Sequence, residues 1–384
     1  MNDISIYLSP VQKKTTKYNA GQIGESIIEY NESFPNLESK SIALIFIPEY
    51  RGEGGENQAI INDNFSNSFY QLYYGDGWGF KIYNIGFIKP GKELKDSYFA
   101  LAKVNSELIK NNILPIVIGG SQDLTLAMYD AYQSLEQTIN TCSIDYSLDI
   151  GDIEEEPKNN GYLTHLLLKR PCYLFNHANI GLQAPHVSKK DLELFNKLYF
   201  DSCSLGDFNS DFKKAEPHLR NSDLVSFDLL SIKKIETNFS NGNVNGFFAD
   251  QACQITYYAG ISDKLTSIGF FNYPMNDVKL NGSKVLSELI WYLIKGYNDR
   301  KNDFPTGTKN KYTKFEVKLK QINESIIFYK SDKSARWWME VPFPPKQGNK
   351  YERHHLVPCD YDDYKKAMNN EIPNLWWKTY QKLQ

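Results

Sequence analysis

Short, almost continuously apolar runs recur along the first three quarters of the chain, and they restrict its fold more than any other feature. They span residues 41–48, 113–118, 141–145, 177–182, 224–228 and 265–271. A strand with one face in water alternates apolar and polar side chains, whereas a strand covered on both faces is apolar throughout. These runs therefore predict buried strands of a mainly parallel sheet.

Segments of helical length separate several of these runs. Residues 96–111 carry apolar side chains at helical spacing, including Leu101, Val104 and Leu108, and residues 124–135 and 283–297 behave likewise. Because strand and helix alternate, the sequence predicts an α/β fold, a three-layer αβα sandwich with right-handed crossovers.

The pattern changes after Asn298, which suggests three parts: an α/β domain over 1–298, a polar linker over 299–313 and a small β/α appendage over 314–384. Within the appendage we expect strands at 315–319, 325–330 and 337–341. Two short helices should follow at 360–370 and 374–383, with Asp360 and Asn374 as N-caps. Four of the six tryptophans fall here, at 337, 338, 376 and 377. They either pack the appendage onto the main domain or form a surface for a protein partner.

Composition narrows the class of protein. Of 384 residues, 41% are hydrophobic and 23% charged, and the net charge of -3 gives no reason to expect nucleic acid or a membrane as a partner. The first residues lack the pattern of a signal peptide, and no apolar run is long enough to span a bilayer. The cysteines form no C-x-x-C pair, which favours a reducing cytoplasm; they are Cys142, Cys172, Cys203, Cys253 and Cys359.

Polar residues follow three of the predicted strands, where ligands bind in open parallel sheets. The segments are Gly119-Gly120-Ser121-Gln122, Asp145-Tyr146-Ser147-Leu148-Asp149 and Ser226-Phe227-Asp228-Leu229-Leu230. In order, position and spacing they resemble the signatures Gly-Gly-Asp-His, Asp-Ala-His-x-Asp and Ser-x-Asp-x-Asp of the ureohydrolase family, which includes arginase, agmatinase and formimidoylglutamase. Residues 179–183 and 269–274 resemble two further segments of formimidoylglutamase-like members. The resemblance covers roughly residues 40–298 and implies an arginase-like fold.

The same resemblance implies a damaged metal centre. Family enzymes hold two Mn²⁺ ions with two histidines and four aspartates. Matching positions keep Asp145, Asp149 and Asp228, whereas Gln122 and Ser147 replace the histidines.

Leu230 replaces the remaining aspartate, and the glutamate that grips the substrate falls at Phe271, or at Asn272 in the alternative register. The resemblance thus implies an oxygen-ligand site for one divalent ion (Mn²⁺, Mg²⁺ or Ca²⁺) from Gln122 and the three aspartates, or no metal at all. Without an ion, the carboxylates need neutral donors, a lysine or arginine, or shared protons.

Other polar residues are less informative. His165 falls close to the family's substrate loop, where it is either a proton relay or an ordinary histidine. His177 and His186 lie in the same region, and the pair His354-His355 is expected to be exposed. Asp123 and Asp152 are candidate helix caps or additional acids. The glycine-rich residues 52–55 predict a flexible turn after the first long strand.

Two functional hypotheses remain. The first is a catalytically inactive or altered homologue that acts by binding a small molecule or a protein. The second is a hydrolase of linear amidine C–N bonds, like formimidoylglutamase, that uses a single ion. In that case Asp145 and Asp228 would hold the ion, and Asp149 would orient or deprotonate a water molecule. Assembly into a homo-oligomer is compatible with either hypothesis.

Overall fold

The computed structural model describes residues 3–12, 16–55, 64–75, 77–152, 156–275, 280–305, 309–320, 324–342 and 354–384. Within these residues the backbone forms a ten-stranded sheet and a separate four-stranded sheet. No helix in the described part of the chain combines the length and the apolar character needed to cross a membrane.

The ten-stranded sheet is parallel except at one edge. Its strands are β1 (Leu8–Ser9), β2 (Ile28–Glu29), β3 (Ile42–Phe46), β4 (Ile82–Ile88), β5 (Leu114–Ile118), β6 (Ile139–Ile144), β7 (Leu174–Leu182), β8 (Asp201–Ser204), β9 (Leu224–Asp228) and β10 (Ser267–Phe271). They are ordered β1-β4-β3-β5-β10-β9-β6-β7-β8, and β2 pairs with β4. Only the pairing of β1 with β4 is antiparallel.

The helices of this part connect successive strands. They are α1 (Ile23–Ser26), α2 (Asn64–Phe69), α3 (Leu94–Lys110), α4 (Thr125–Ser134), α5 (Tyr162–Leu168), α6 (Lys189–Lys197), α7 (Leu205–Ser210), α8 (Glu216–Arg220), α9 (Lys234–Thr237), α10 (Ala249–Gly260) and α11 (Asn281–Asn298). The six predicted strands and the three predicted helices are confirmed, with ends that differ by a few residues.

Alternate side chains of β3 enter two different cores, which makes the main domain a three-layer sandwich. Ile42, Leu44 and Phe46 pack with residues of α2, α10 and α11 on one face. Ala43 and Ile45 pack with residues of α3 and α4 on the other face. Because both faces are covered, every position of this strand is buried, as its continuous apolar run predicts.

Strand β4 was not predicted, because polar and glycine residues interrupt its apolar run. Asn84 is buried and satisfied within the sheet: its Nδ2 donates to Tyr70 Oη at 2.8 Å, and its Oδ1 accepts from Gly86 N at 3.1 Å. Gly86 has a φ of +84°, and a Cβ there would lie 2.1 Å from the carbonyl oxygen of Ser9. Asn84 thus connects β4 to Tyr70 after α2, and Gly86 allows the close approach of β1.

The C-terminal part is an antiparallel meander with two helices. Its strands are β11 (Tyr312–Leu319), β12 (Glu324–Ser331), β13 (Trp337–Pro342) and β14 (His354–Cys359), followed by α12 (Tyr361–Met368) and α13 (Asn374–Leu383). Asp360 caps α12 as predicted, since its carboxylate accepts from Asp363 N at 2.8 Å. The expected cap at Asn374 is wrong, because Pro373 occupies the N-cap and Asn374 is already helical.

Arg220 joins the two sheets. This buried side chain donates from Nη1 to the carbonyl of Trp337 and from Nη2 to that of Cys359, both at 2.9 Å. Its guanidinium lies 4.5 Å from the ring centroid of Trp338, and its Nε lies 2.9 Å from Glu216 Oε1. One side chain of the main domain therefore satisfies two backbone carbonyls of the C-terminal sheet.

Polar residues of the predicted linker over 299–313 form hydrogen bonds with the main domain and are not fully solvated. Arg300 donates to the carbonyls of Gly260 and Leu265, each at 2.9 Å. The backbone N–H of the buried Asp303 donates to Asp263 Oδ2 at 2.9 Å. The division into a domain over 1–298, a linker over 299–313 and an appendage over 314–384 stays a prediction.

Substitution of Arg220 by Ala is expected to lower the free energy of unfolding by roughly 3 kcal/mol or more, because two buried carbonyls lose their donor and Glu216 loses a partner. Urea unfolding followed by tryptophan fluorescence measures the change. Arg170→Ala, at an exposed arginine, is the matched control and should change stability by less than about 0.5 kcal/mol. Equal effects of the two substitutions would contradict the role given to Arg220.

Candidate functional site

Four adjacent strands end at one edge of the sheet and bring the predicted site residues together. In the order β5-β10-β9-β6, Phe271 is paired with Asp228, and Ile144 is paired with Phe227. The residues that follow these strands therefore meet beyond their carboxyl ends, where ligands bind in folds of this type.

A serine links two of the carboxyl groups. Ser147 N donates to Asp145 Oδ1 at 2.9 Å. The Ser147 hydroxyl lies 2.7 Å from Asp149 Oδ1 and 3.2 Å from Asp145 Oδ1. Asp149 itself has a φ of +49°, which turns the backbone so that its side chain comes back toward Asp145. Ser147, which stands at a family histidine position, therefore acts as a donor to carboxylates.

Asp228 receives two neutral donors on the same oxygen. Leu230 N donates to Asp228 Oδ1 at 2.8 Å, and Asn272 Nδ2 donates to it at 2.7 Å. The side chain of Leu230 lies in the apolar core on one face of the sheet. Only the backbone of Leu230 thus takes part in the site.

The structure distinguishes the two positions suggested for the family's substrate-binding glutamate. Phe271 is fully buried and packs into the core that also contains Met128 of α4. Asn272 has a φ of +58° and points its amide at Asp228. Asn272 is therefore the residue at the site, and Phe271 is a core residue.

Gln122 begins a short 3-10 helix, Gln122–Leu124, immediately beyond β5. Its backbone N–H donates to Asn159 Oδ1 at 2.6 Å, and its Nε2 donates to Ser226 Oγ at 3.3 Å. Burial raises the pKa of Asp145, and the Gln122 amide is among the hydrogen-bond partners that oppose this shift. Asp145 Oδ2 nevertheless has no partner in good hydrogen-bond geometry among the described residues.

Burial and mutual repulsion dominate the electrostatics of the three carboxyl groups. Asp145, Asp149 and Asp228 are 1%, 8% and 3% exposed. Burial raises the pKa of Asp149 well above its ordinary value, and the charge of Asp145 raises it further. Burial and then the charge of Asp145 likewise raise the pKa of Asp228. Burial raises the pKa of Asp145 as well, but a hydrogen bond from Asp149 opposes the shift. The raised pKa values favour the neutral forms of Asp149 and Asp228, which carry less mutual repulsion.

The rim of this cluster contains residues that the sequence did not single out. The charge of Glu53 raises the pKa of Asp228, and Glu53 Oε1 accepts from Asn241 Nδ2 at 3.3 Å. The ring of Tyr146 lies 5.0 Å from that of His186, edge to face. The charge of Asp228 also raises the pKa of Tyr146, after burial. Glu53 belongs to the glycine-rich residues 52–55 after β3, which the sequence analysis predicted only as a flexible turn.

That loop packs directly on Asp123. Residues Arg51–Glu53 form a 3-10 helix, and a Cβ on Gly52 would lie 2.1 Å from Asp123 Oδ1. Asp123 is fully buried inside the short helix after β5 and accepts a hydrogen bond from the Tyr98 hydroxyl, so it is an additional acid and not a cap. Burial raises its pKa to about 6. Asp152, the other candidate cap or additional acid, is exposed.

One expectation about histidines needs correction, whereas the role of His165, half-buried in α5, stays a prediction. His177 is a buried residue of β7 whose ring nitrogens lie 2.8 Å from Thr141 Oγ1 and 3.3 Å from Ser143 Oγ, and burial lowers its pKa to about 3. His355 is not exposed as expected: its ring packs 5.1 Å from that of Phe175, and burial lowers its pKa to about 4.

The residues do not fit the two-ion centre of the family. Leu230 offers no side-chain ligand, and Ser147 is engaged with two carboxylates. A single ion would draw on Asp145, Asp149, Asp228 and Gln122, but no group of three His, Cys, Asp or Glu in the described ranges is arranged to hold a metal. The assignment of these four residues as metal ligands stays a prediction.

Solved structures share this fold. Formimidoylglutamase from Bacillus subtilis superposes with a TM-score of 0.66 at 12% identity, covering 76% of this chain and 97% of that one. Trypanosoma cruzi formiminoglutamase with Mn²⁺ superposes with a TM-score of 0.61 at 15% identity, covering 70% of this chain and 97% of that one. Arginase from Bacillus subtilis superposes with a TM-score of 0.56 at 15% identity, covering 66% of this chain and 98% of that one. No family model matches the sequence, and no curated protein sequence matches it either. The fold is thus that of arginase and formimidoylglutamase.

Substitution of Asp123 by Asn is expected to stabilise the protein at pH 8 and to have little effect at pH 4. The pKa of Asp123 is about 6 in the folded chain, above the usual 3.8. Its favourable contribution to the free energy of unfolding is therefore complete below about pH 4 and is lost as the pH rises through about 6. The gain at pH 8 should reach at most about 3 kcal/mol. Chemical unfolding at the two pH values measures it, with exposed Asp152→Asn as control; an effect independent of pH would refute the shift.

Proposed function

We propose that this protein is a ureohydrolase-fold homologue that acts by binding a ligand or partner rather than by two-metal hydrolysis. The observation that supports the proposal is the environment of Asp228. Its Oδ1 accepts from Leu230 N and Asn272 Nδ2, and the neighbouring family ligand position is the apolar Leu230. Two bridged ions share the hydroxide that attacks the substrate in enzymes of this class. Removal of one ion's ligands therefore removes the nucleophile.

Neutral donors take the place of cations in this proposal. The Ser147 hydroxyl bridges Asp145 and Asp149, and Asn272 holds Asp228. Hydrogen bonds to ionised acceptors are stronger than those between neutral groups, so these donors stabilise the charge that remains after protons are shared. The hydrogen-bonded carboxylate cluster then acts as a buried support that holds the strand ends together, and the protein folds without a metal ion there.

Binding would use the surfaces around this support. The rim offers Glu53, Tyr146 and His186 to a small polar ligand. A protein partner would instead use the C-terminal part, where Trp377 is 44% exposed. The other three tryptophans of this part are buried, which favours a packing role for them.

A second candidate function is hydrolysis of linear amidines with a single ion. It is favoured by two buried oxygens, Asp145 Oδ2 and Asn272 Oδ1, that lack hydrogen-bond partners within the described part of the chain. A divalent ion would acidify a water molecule at this position. Asp145 and Asp228 would hold the ion, and Asp149 would orient the water and accept its proton. The fold shared with formiminoglutamase makes an amidine the reasonable substrate class.

Calorimetric titration of the metal-free protein with Mn²⁺, Mg²⁺ and Ca²⁺ separates the two candidates. We expect no saturable binding at millimolar ion, for the wild-type protein or for Asp145→Asn/Asp228→Asn. One equivalent bound by the wild type and lost in the double variant would overturn the proposal in favour of the single-ion hydrolase. A screen of linear amidines with the loaded protein would then be the next step.

Asp149→Asn is expected to leave the free energy of unfolding at pH 7 unchanged within about 0.5 kcal/mol, or to raise it. The Asn amide donates as a protonated carboxyl does, and its oxygen still accepts from Ser147. Asp149→Ala leaves the Ser147 hydroxyl without that acceptor and should cost about 1–3 kcal/mol. Guanidinium unfolding of both variants provides the measurement, and equal losses would contradict the proton assigned to Asp149.

A further inference from the structure

A groove on the outer helix layer lies apart from the carboxylate cluster. It runs between α10 and α11 and encloses a cavity of about 810 Å³. None of Asp145, Asp149 and Asp228 lines it. Small-molecule sites have volumes of roughly 300–1,000 Å³, so the groove has room for a compact organic ligand.

Aromatic side chains form much of its wall. Phe248 is 45% exposed and Tyr292 is 41% exposed. Trp291 packs edge to face on Tyr292, with ring centroids 5.1 Å apart. Trp291 Nε1 donates to the carbonyl of Tyr73 at 2.7 Å, which fixes the indole in place. The wall is therefore preorganised.

The groove is acidic. Four acids line it, and its one lining lysine, Lys295, is paired with Asp299 at 2.7 Å. The remaining acids are Glu236, Asp250 and Glu288. Cys253 lies at the floor, where burial raises the pKa of its thiol to about 12 and the charges of Glu288 and Asp250 add to the shift. Glu288 and Asp250 thus lie close enough to the thiol to disfavour its ionised form.

The ring of Phe248, at the rim of the groove, is already in contact with a cationic side chain. Lys233 Nζ lies 3.4 Å from the ring centroid of Phe248. An ammonium over an aromatic face is attracted by the negative face of the ring, and the attraction grows when water is excluded. A positively charged group is thus seated on the same aromatic that borders the cavity.

From the cavity, its aromatic wall and its acids, we propose that this groove binds a small organic cation, an ammonium group on an aryl or alkyl body. The ammonium lies near Glu288 and Asp250, and the apolar body packs on Tyr292 and Trp291. Aromatic faces favour weakly hydrated organic ammonium over hard inorganic ions, which prefer converging oxygens. The site is independent of the function proposed for the carboxylate cluster.

Calorimetric titration with benzyltrimethylammonium tests the proposal. We expect one equivalent to bind, with affinity that falls as salt is added, because the groove's charges are screened. Glu288→Gln and Tyr292→Ala should each weaken binding about threefold to tenfold. Glu316→Gln, which removes an exposed acid of β11, should leave the affinity unchanged. The uncharged isostere, with carbon in place of nitrogen, should bind at least roughly tenfold more weakly.

Three results would overturn the proposal. The first is equal binding of the cation and its uncharged isostere. The second is an affinity that Glu288→Gln and Glu316→Gln change equally. The third is absence of binding together with a self-associated protein that Tyr292→Ala dissociates in sedimentation, since that would assign the groove to a second copy of the chain. Circular dichroism of each variant confirms that the fold is intact.

Discussion

Three carboxyl groups are buried together where strands β5, β10, β9 and β6 end, and the structure around them is arranged to make that burial tolerable. Isolated buried charges are among the most unfavourable groups a protein can contain. Here Ser147 and Asn272, with the backbone N–H of Leu230, supply donors to Asp145, Asp149 and Asp228. The pKa values of Asp149 and Asp228 are also raised, which favours their neutral forms. The raised pKa values thus favour a cluster with less net charge than three ionised carboxylates would carry, and the donors stabilise the charge that remains.

The parallel sheet could be predicted because its strands are covered on both faces, and a continuous apolar run is the direct consequence. The carboxylates could be placed because such strands end at one edge. Strand β4 could not be predicted, because Asn84 and Gly86 interrupt its apolar run. Asn84 bonds Tyr70 and Gly86 makes room for β1, and both contacts are between residues far apart in sequence. The choice between Phe271 and Asn272 required the structure, because one residue of register moves a side chain from the core to the site.

Groups that act across long sequence separations also escaped prediction. Glu53 influences Asp228 only because the loop after β3 folds over the strand ends. Gly52 is required there by its closeness to Asp123, a contact between residues far apart in sequence. Arg220 bonds carbonyls of two later strands, which no local pattern encodes. Tertiary contacts of this kind decide which polar residues are structural and which face a ligand.

The central claim is that protons and neutral donors, rather than metal ions, balance the buried carboxylates. Infrared difference spectra between the wild-type protein and Asp149→Asn, recorded at pH 7 after treatment with a chelator and again with added Mn²⁺, test it most directly. The account predicts that the variant loses the carbonyl band of one protonated carboxylic acid, that of Asp149, and that Mn²⁺ leaves this band of the wild type unchanged. A spectrum with only ionised carboxylate bands, which shift when Mn²⁺ is added, would contradict it.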